Sequence, residues 1–162
     1  MAKTAQVLLV MDMQKGFSDA YHFNELVEKI NQRIEEYQEV GAPVIFIQHT
    51  EKGLLPGSKE WQLADELLAT PEDMTVQKTH LNAFYKTELN DLLTDNDLNQ
   101  LEICGLQTEY CVNATITMAH GLGYDLYMQP EMTTTYDNEF MTASETITFF
   151  EDIWGSNFLT FI

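Results

Sequence analysis

Val7-Leu8-Leu9-Val10-Met11-Asp12-Met13-Gln14 is the stretch on which the fold turns. Its continuous apolar run predicts a strand covered on both faces, as in a parallel sheet packed between helices. Outward from it, Phe23, Leu26, Val27, Ile30, Ile34 and Tyr37 recur at helical spacing over Phe23 to Val40. Glu25, Glu28, Glu35, Glu36 and Glu39 fill the opposite face, and Gly41 with Pro43 stops the helix. Val44-Ile45-Phe46-Ile47 reads as a second buried strand. Gly53, Pro56 and Gly57 mark a loop, followed by a short helix over Trp61 to Leu68. Thr75 to Lys78 reads as a short strand and Thr87 to Leu93 as a helix. Gln100 to Leu106 is a third clear strand, Cys111 to Leu122 a helix, and Tyr124 to Met128 another strand. Ser144 caps a helix running to about Trp154, and Phe158 to Ile162 closes the chain as a strand.

Strands alternating with helices predict an α/β fold, because parallel strands need crossover connections. Right-handed crossovers leave few topologies, and ligands bind outside the carboxyl ends of the strands near a switch in strand order. The 162 residues read as one domain spanning 1–162, and they contain no repeat, linker or low-complexity tract. A formal net charge of −18 argues against nucleic acid, whose binding needs cations to displace counterions, and against anionic membrane surfaces. No apolar run reaches the about 18 residues needed to span a bilayer. Met1 to Gln6 lacks a signal peptide's apolar region and cleavage site, so the expectation is a cytoplasmic protein. Two cysteines, Cys104 and Cys111, make no disulfide framework and no Cys-x-x-Cys pair, which weighs against a thiol redox protein.

Three ionisable residues stand at three strand ends. Asp12 ends the first strand, Lys78 ends the short Thr75–Lys78 segment, and Cys111 lies just beyond the Ile103–Leu106 run, where a helix begins. A helix N-terminus favours a thiolate through its free N–H groups, and a nearby ammonium lowers the thiol pKa further. A carboxylate beside them can accept and return a proton. Nucleophile, cation and base at one sheet edge form a set for covalent catalysis. Taken singly, each has an ordinary reading: a small buried hydrophobe, a turn residue, a solvated lysine.

Asp12-Met-Gln-Lys-Gly-Phe17, Lys78-Thr-His-Leu-Asn-Ala-Phe84 with Thr87-Glu-Leu89, and Cys104-Gly-Leu-Gln-Thr-Glu-Tyr-Cys111-Val-Asn-Ala-Thr115 together resemble the isochorismatase-like cysteine hydrolase superfamily. The resemblance runs from Val7 to about Met128. It implies a three-layer α/β/α sandwich around a parallel six-stranded sheet, and a catalytic triad of Asp12, Lys78 and Cys111. It implies further that Asp12 takes the Cys111 proton, that the thiolate attacks an amide or related carbonyl carbon, and that water releases the acid from an acyl-thioester. The resemblance also implies that Lys78 holds the thiolate and orients Asp12. A cis Leu106–Gln107 peptide and an oxyanion hole from the backbone N–H groups of Gln107 and Cys111 are implied likewise. Relatives form dimers or larger assemblies, so a homo-oligomer is expected.

The sequence departs from the metal-dependent nicotinamidases, which resemble one another in an Asp-x-His pattern with a downstream His after the second strand. Here the stretch reads Ile47-Gln48-His49-Thr50-Glu51-Lys52, with no second His before His80, so no metal or other cofactor is expected and His49 reads as a residue at or near the pocket. Gln129-Pro130-Glu131 stands where many relatives carry Asp-Ala. Arg33, the only arginine, sits in the first helix, far in sequence from the strand ends, so the two-point carboxylate fork that isochorismate calls for is missing. A small neutral amide, carbamoyl or ureido compound is the expected substrate, with Gln14, Phe17 and Phe84 as substrate-binding residues. Trp61 lines the entrance or anchors the Thr50–Thr75 segment, and Cys104 is inert inside its strand. The alternative, from another class, is a small-molecule binding or regulatory protein that keeps the fold without turnover.

Overall fold

The computed structural model describes residues 3–162. Its centre is a parallel sheet of seven strands, β1 (Val7–Met11), β2 (Val44–His49), β3 (Met74–Lys78), β4 (Gln100–Leu106), β5 (Asp125–Met128), β6 (Thr133–Thr134) and β7 (Thr160–Phe161). Six strands lie in the order β3-β2-β1-β4-β5-β7, and β6 pairs with β4 beside the far end of β5. Helices α1 (Phe23–Glu39), α2 (Leu89–Asp95), α3 (Asn113–Leu122) and α4 (Ala143–Asn157) cover the sheet and complete a three-layer α/β/α sandwich. No helix among the described residues is long and apolar enough to cross a membrane.

All five residues of β1 are fully buried, as expected of a strand covered on both faces. The strand order switches between β1 and β4, where β1 runs alongside β2 on one side and β4 on the other. The crevice at such a switch is therefore bounded by the residues just past Met11 and Leu106. Register carries Met11 opposite both Ile47 and Gly105, and His49 opposite Lys78, so the chain ends of four strands are level at one edge.

Two details of packing position that edge. Gly105 has φ +119°, and a Cβ there would lie 2.1 Å from the Met11 carbonyl oxygen, so the close approach of β4 to β1 requires glycine. On α1, Arg33 lies within the apolar stripe and is 1% exposed. Its Nε donates to Glu102 Oε1 (2.7 Å) and Nη2 to Glu102 Oε2 (2.6 Å), while the Tyr37 hydroxyl donates to Glu102 Oε2 (2.7 Å). The sole arginine thus ties α1 to β4 in a satisfied buried pair, and is unavailable to a ligand at the strand ends.

Several elements differ from the sequence expectation. Trp61 to Leu68 is not a helix. Its backbone groups pair with the chain leaving β1: Lys15 N donates to Gln62 O (2.8 Å), Ala64 N to Met13 O (2.9 Å), and Gln14 pairs antiparallel with Leu63. A Lys15–Asp65 ion pair of 2.7 Å adds to the clamp. Cys111 falls in a π-helical turn, Thr108–Val112, that precedes α3. The cap of α4 is Thr142 and not Ser144, because Thr142 exchanges bonds with Glu145 in a capping box. The closing strand shortens to Thr160–Phe161, since the Phe158 and Leu159 N–H groups turn back to the Trp154 carbonyl.

Gly105→Ala is expected to destabilise the protein by about 3 kcal/mol or more, combining backbone overlap with an unfavourable φ. Gly123→Ala, at the end of α3 with φ +91° and open space around the new Cβ, should cost about 1–2 kcal/mol. Urea denaturation of both variants checks the order; equal losses would mean that the β1–β4 approach is not the constraint.

Candidate active site

Each functional side chain is set by the end of a strand. Asp12, the residue after β1, donates its N–H to the Ile47 carbonyl (2.9 Å) and takes φ +52°, a left-handed conformation that Asp tolerates better than most residues. That turn takes its side chain into the sheet edge, where it is 1% exposed. Lys78 ends β3 and crosses beneath the end of β2, with its side chain wholly buried. Its Nζ lies 2.9 Å from Asp12 Oδ2, 2.9 Å from His49 Nδ1, 3.2 Å from the His80 carbonyl oxygen and 3.2 Å from Cys111 Sγ. The three sequence-predicted triad residues are therefore in mutual contact around one ammonium group.

The Leu106–Gln107 peptide is cis. The turn beyond it is held by the Tyr110 and Val112 N–H groups, both on the Gln107 carbonyl at 3.1 Å. Among the described residues the Gln107 N–H donates to no protein acceptor. Asp12 Oδ2 makes a charge contact with Lys78, yet neither carboxylate oxygen has an aligned hydrogen-bond donor. A buried carboxylate left so is a strong acceptor for any proton brought to it.

A cavity of about 200 Å³ opens onto this group, with Asp12, Cys111, Leu106 and Gln107 at its floor. Phe17, His49, Glu51, Leu81 and Tyr110 form its walls. A second cavity, about 270 Å³ between α1 and α4, is lined by Glu25, Lys29, Glu131 and Glu151 and lies away from the triad.

Burial pushes the Cys111 thiol up to about 12, the Asp12 charge adds to the rise, and Lys78 opposes it. The lowering expected from a helix terminus and a nearby ammonium is outweighed. Removing the sulfur from water penalises the anion by more than the ammonium returns. Burial raises Asp12 as well, against the pull of Lys78. Burial and Lys78 both push His49 down, so the ring is neutral. With Nδ1 accepting from Lys78, the His49 proton resides on Nε2, which is 3.5 Å from Glu51 Oε2.

Of the substrate-binding residues expected from sequence, only Phe17 faces the cavity. Gln14 is fully buried and its amide is engaged with backbone: Nε2 donates to His49 O (3.0 Å) and Trp61 O (2.8 Å), while Oε1 accepts from His49 N (2.8 Å). It fastens the 61–64 segment to β2 and does not line the cavity. Phe84 stacks on Tyr124, ring centres 5.6 Å apart, and does not line the cavity. Trp61 is an anchor: its carbonyl receives Gln14 and Gln48, and Nε1 donates to Thr50 Oγ1 (3.1 Å). Glu51, Tyr110 and Leu81 were missed as wall residues. For Glu51 and Tyr110 a signal existed, since Gln48-His49-Thr50-Glu51 leaves a central strand and Tyr110 adjoins Cys111. Leu81 carries no such mark.

Donor atoms of Asp12, His49 and Cys111 lie within 4.8 Å of one another, a spacing that invites a metal. The set does not fit one. The Lys78 ammonium already contacts all three residues, and His49 directs Nδ1 at it. A divalent ion would have to share the site with a buried cation.

The Isochorismatase domain model matches residues 6–148. The chain is 28% identical over 139 residues to the uncharacterized isochorismatase family protein YrdC of Bacillus subtilis, covering 81% of this chain and 74% of YrdC. It is 29% identical over 142 residues to streptothricin hydrolase of Streptomyces noursei, covering 83% of this chain and 56% of that enzyme. A solved structure of an isochorismatase family protein superposes with a TM-score of 0.94 at 48% identity, covering 96% of each chain. With a family match across most of its length and that likeness in structure, the chain belongs to the isochorismatase family.

Proposed function

We propose that the protein is a cysteine hydrolase that cleaves a C–N bond of a small amide, carbamoyl or ureido compound through an acyl-thioester on Cys111. The observation that carries this reading is the buried Lys78 ammonium, in contact at once with Asp12 and Cys111, which form the floor of a cavity. Relatives named as hydrolases support it.

Because the resting thiol keeps its proton, deprotonation is coupled to attack. Asp12 takes the Cys111 proton as the sulfur–carbon bond forms, and the carbonyl π pair moves to oxygen. The Gln107 and Cys111 N–H groups stabilise that oxyanion; such donors are typically worth on the order of 2.7–4 kcal/mol of barrier. As the C–N bond breaks, Asp12 returns the proton to the leaving nitrogen. It then takes a proton from water, whose oxygen attacks the thioester carbon. Sulfur leaves as thiolate and recovers that proton from Asp12. Lys78 stays protonated throughout and balances whichever of Asp12 and Cys111 carries the negative charge.

Cys111→Ala and Asp12→Asn should each lower amide turnover, read as ammonia release, by on the order of 10³-fold or more. Cys104→Ala should retain activity and lose about 1 kcal/mol of stability in a thermal melt. Near wild-type turnover in Cys111→Ala with an unchanged melt would overturn the assignment.

Iodoacetamide labelling tests the proton's resting place. Cys111 in the wild type should label slowly at neutral pH and faster as pH rises toward about 12. Asp12→Asn, which removes a charge that raises the thiol, should label faster at a given pH although it has lost turnover. Lys78→Met should label more slowly. The reverse order for the two variants would contradict the electrostatics described above.

A further inference from the structure

We propose that Glu51 makes the cavity select substrates carrying a cationic group, an ammonium or guanidinium, remote from the scissile bond. This rests on the hydrolase reading and names the substrate class for it.

The charges around the cavity decide the matter. Lys78 is the cation nearest the floor, and it presents nothing to a ligand: its side chain is wholly buried and its ammonium lies within 3.2 Å of Asp12, His49, the His80 carbonyl and Cys111. Burial and Lys78 both push His49 on the wall down, which favours its neutral ring. Among the described residues no lysine or arginine lines the cavity. A substrate carboxylate would therefore enter without a partner, while Asp12 on the floor is already matched by Lys78.

Glu51 is the remaining charge on the wall. Its side chain is 56% exposed, and among the described residues no lysine or arginine pairs with it. Its backbone is fixed, since Glu51 and Leu54 exchange N–H···O bonds of 3.3 and 2.9 Å in a tight turn directly after β2. From that turn the carboxylate reaches His49, with Oε2 3.5 Å from Nε2. Phe17 and Tyr110 line the same cavity with aromatic rings, which accept an alkyl stem and attract a cation over their faces. The −18 net charge raises the local concentration of cations and lowers that of anions. At about 200 Å³ the cavity admits an amide plus a short chain, which places the far end of the chain toward the rim.

The test uses three primary amides of matched length, 5-aminopentanamide, pentanamide and the monoamide of glutaric acid. Ammonia release gives kcat/KM for the wild type, Glu51→Gln and Glu51→Lys. The wild type should prefer the ammonium amide over pentanamide by about 10-fold, with the carboxylate amide poorest, and added salt should shrink the difference. Glu51→Gln should lower kcat/KM for the ammonium amide by about 10-fold relative to pentanamide and so remove the preference, and Glu51→Lys should favour the carboxylate amide. Calorimetric binding of the same amides to Cys111→Ala, with and without Glu51→Gln, separates recognition from chemistry. Tighter binding of the ammonium amide that disappears with Glu51→Gln supports the proposal even where the wild type releases no ammonia, an outcome that would sink the hydrolase reading alone. Hydrolysis with no charge preference, a preference that survives Glu51→Gln, or equal or undetectable binding of the ammonium and methyl-ended amides overturns the proposal, and the first two leave the hydrolase reading standing.

Discussion

A buried ammonium must be surrounded by acceptors, and the acceptors around Lys78 come from separate parts of the sheet edge. Asp12 follows β1, His49 ends β2, the His80 carbonyl follows β3, and Cys111 sits in the turn after β4. An isolated charge at that depth would cost several kcal/mol, so the four segments have to arrive together. The level register of the parallel strands brings them together. Gly105 lets β4 close on β1, and the Arg33–Glu102 pair ties α1 to β4.

The same enclosure explains the chemistry. Burial limits the hydration of Cys111 and Asp12, so neither is charged as readily as it would be in solution. A proton that shifts between sulfur and carboxylate, with a fixed cation touching both, moves charge only a short distance. Substrate contact is what such a site waits for, and it protects the thiol from incidental alkylation or oxidation meanwhile.

The sheet was legible in the sequence because Val7–Met11 and Val44–Ile47 are continuous apolar runs, with a further short one at Ile103–Leu106. Asp12 and Lys78 were legible as ionisable residues at strand ends and Cys111 as the thiol just beyond β4, with the family motifs joining them. Trp61–Leu68 was misread because helical spacing of apolar residues also suits a chain that pairs with Met13–Gly16, and only the tertiary partner decides between them. Gln14 was misread because position beside Asp12 says nothing of which backbone groups need a partner, and the His49 and Trp61 backbones needed this one. The charge state of Cys111 was invisible for a related reason. A helix terminus and a lysine can be inferred from spacing, but the depth of burial that outweighs them belongs to the packed structure.

The acyl-enzyme itself is the most direct test. Wild-type protein mixed with an amide that it turns over, acid-quenched on the millisecond scale and read by intact-mass and peptide spectrometry, should show a transient increase equal to the acyl group. That increase should sit on the peptide containing Cys111 and should be discharged by hydroxylamine. Steady release of ammonia with no adduct at any time, continuing after Cys111 has been fully alkylated, would contradict the account.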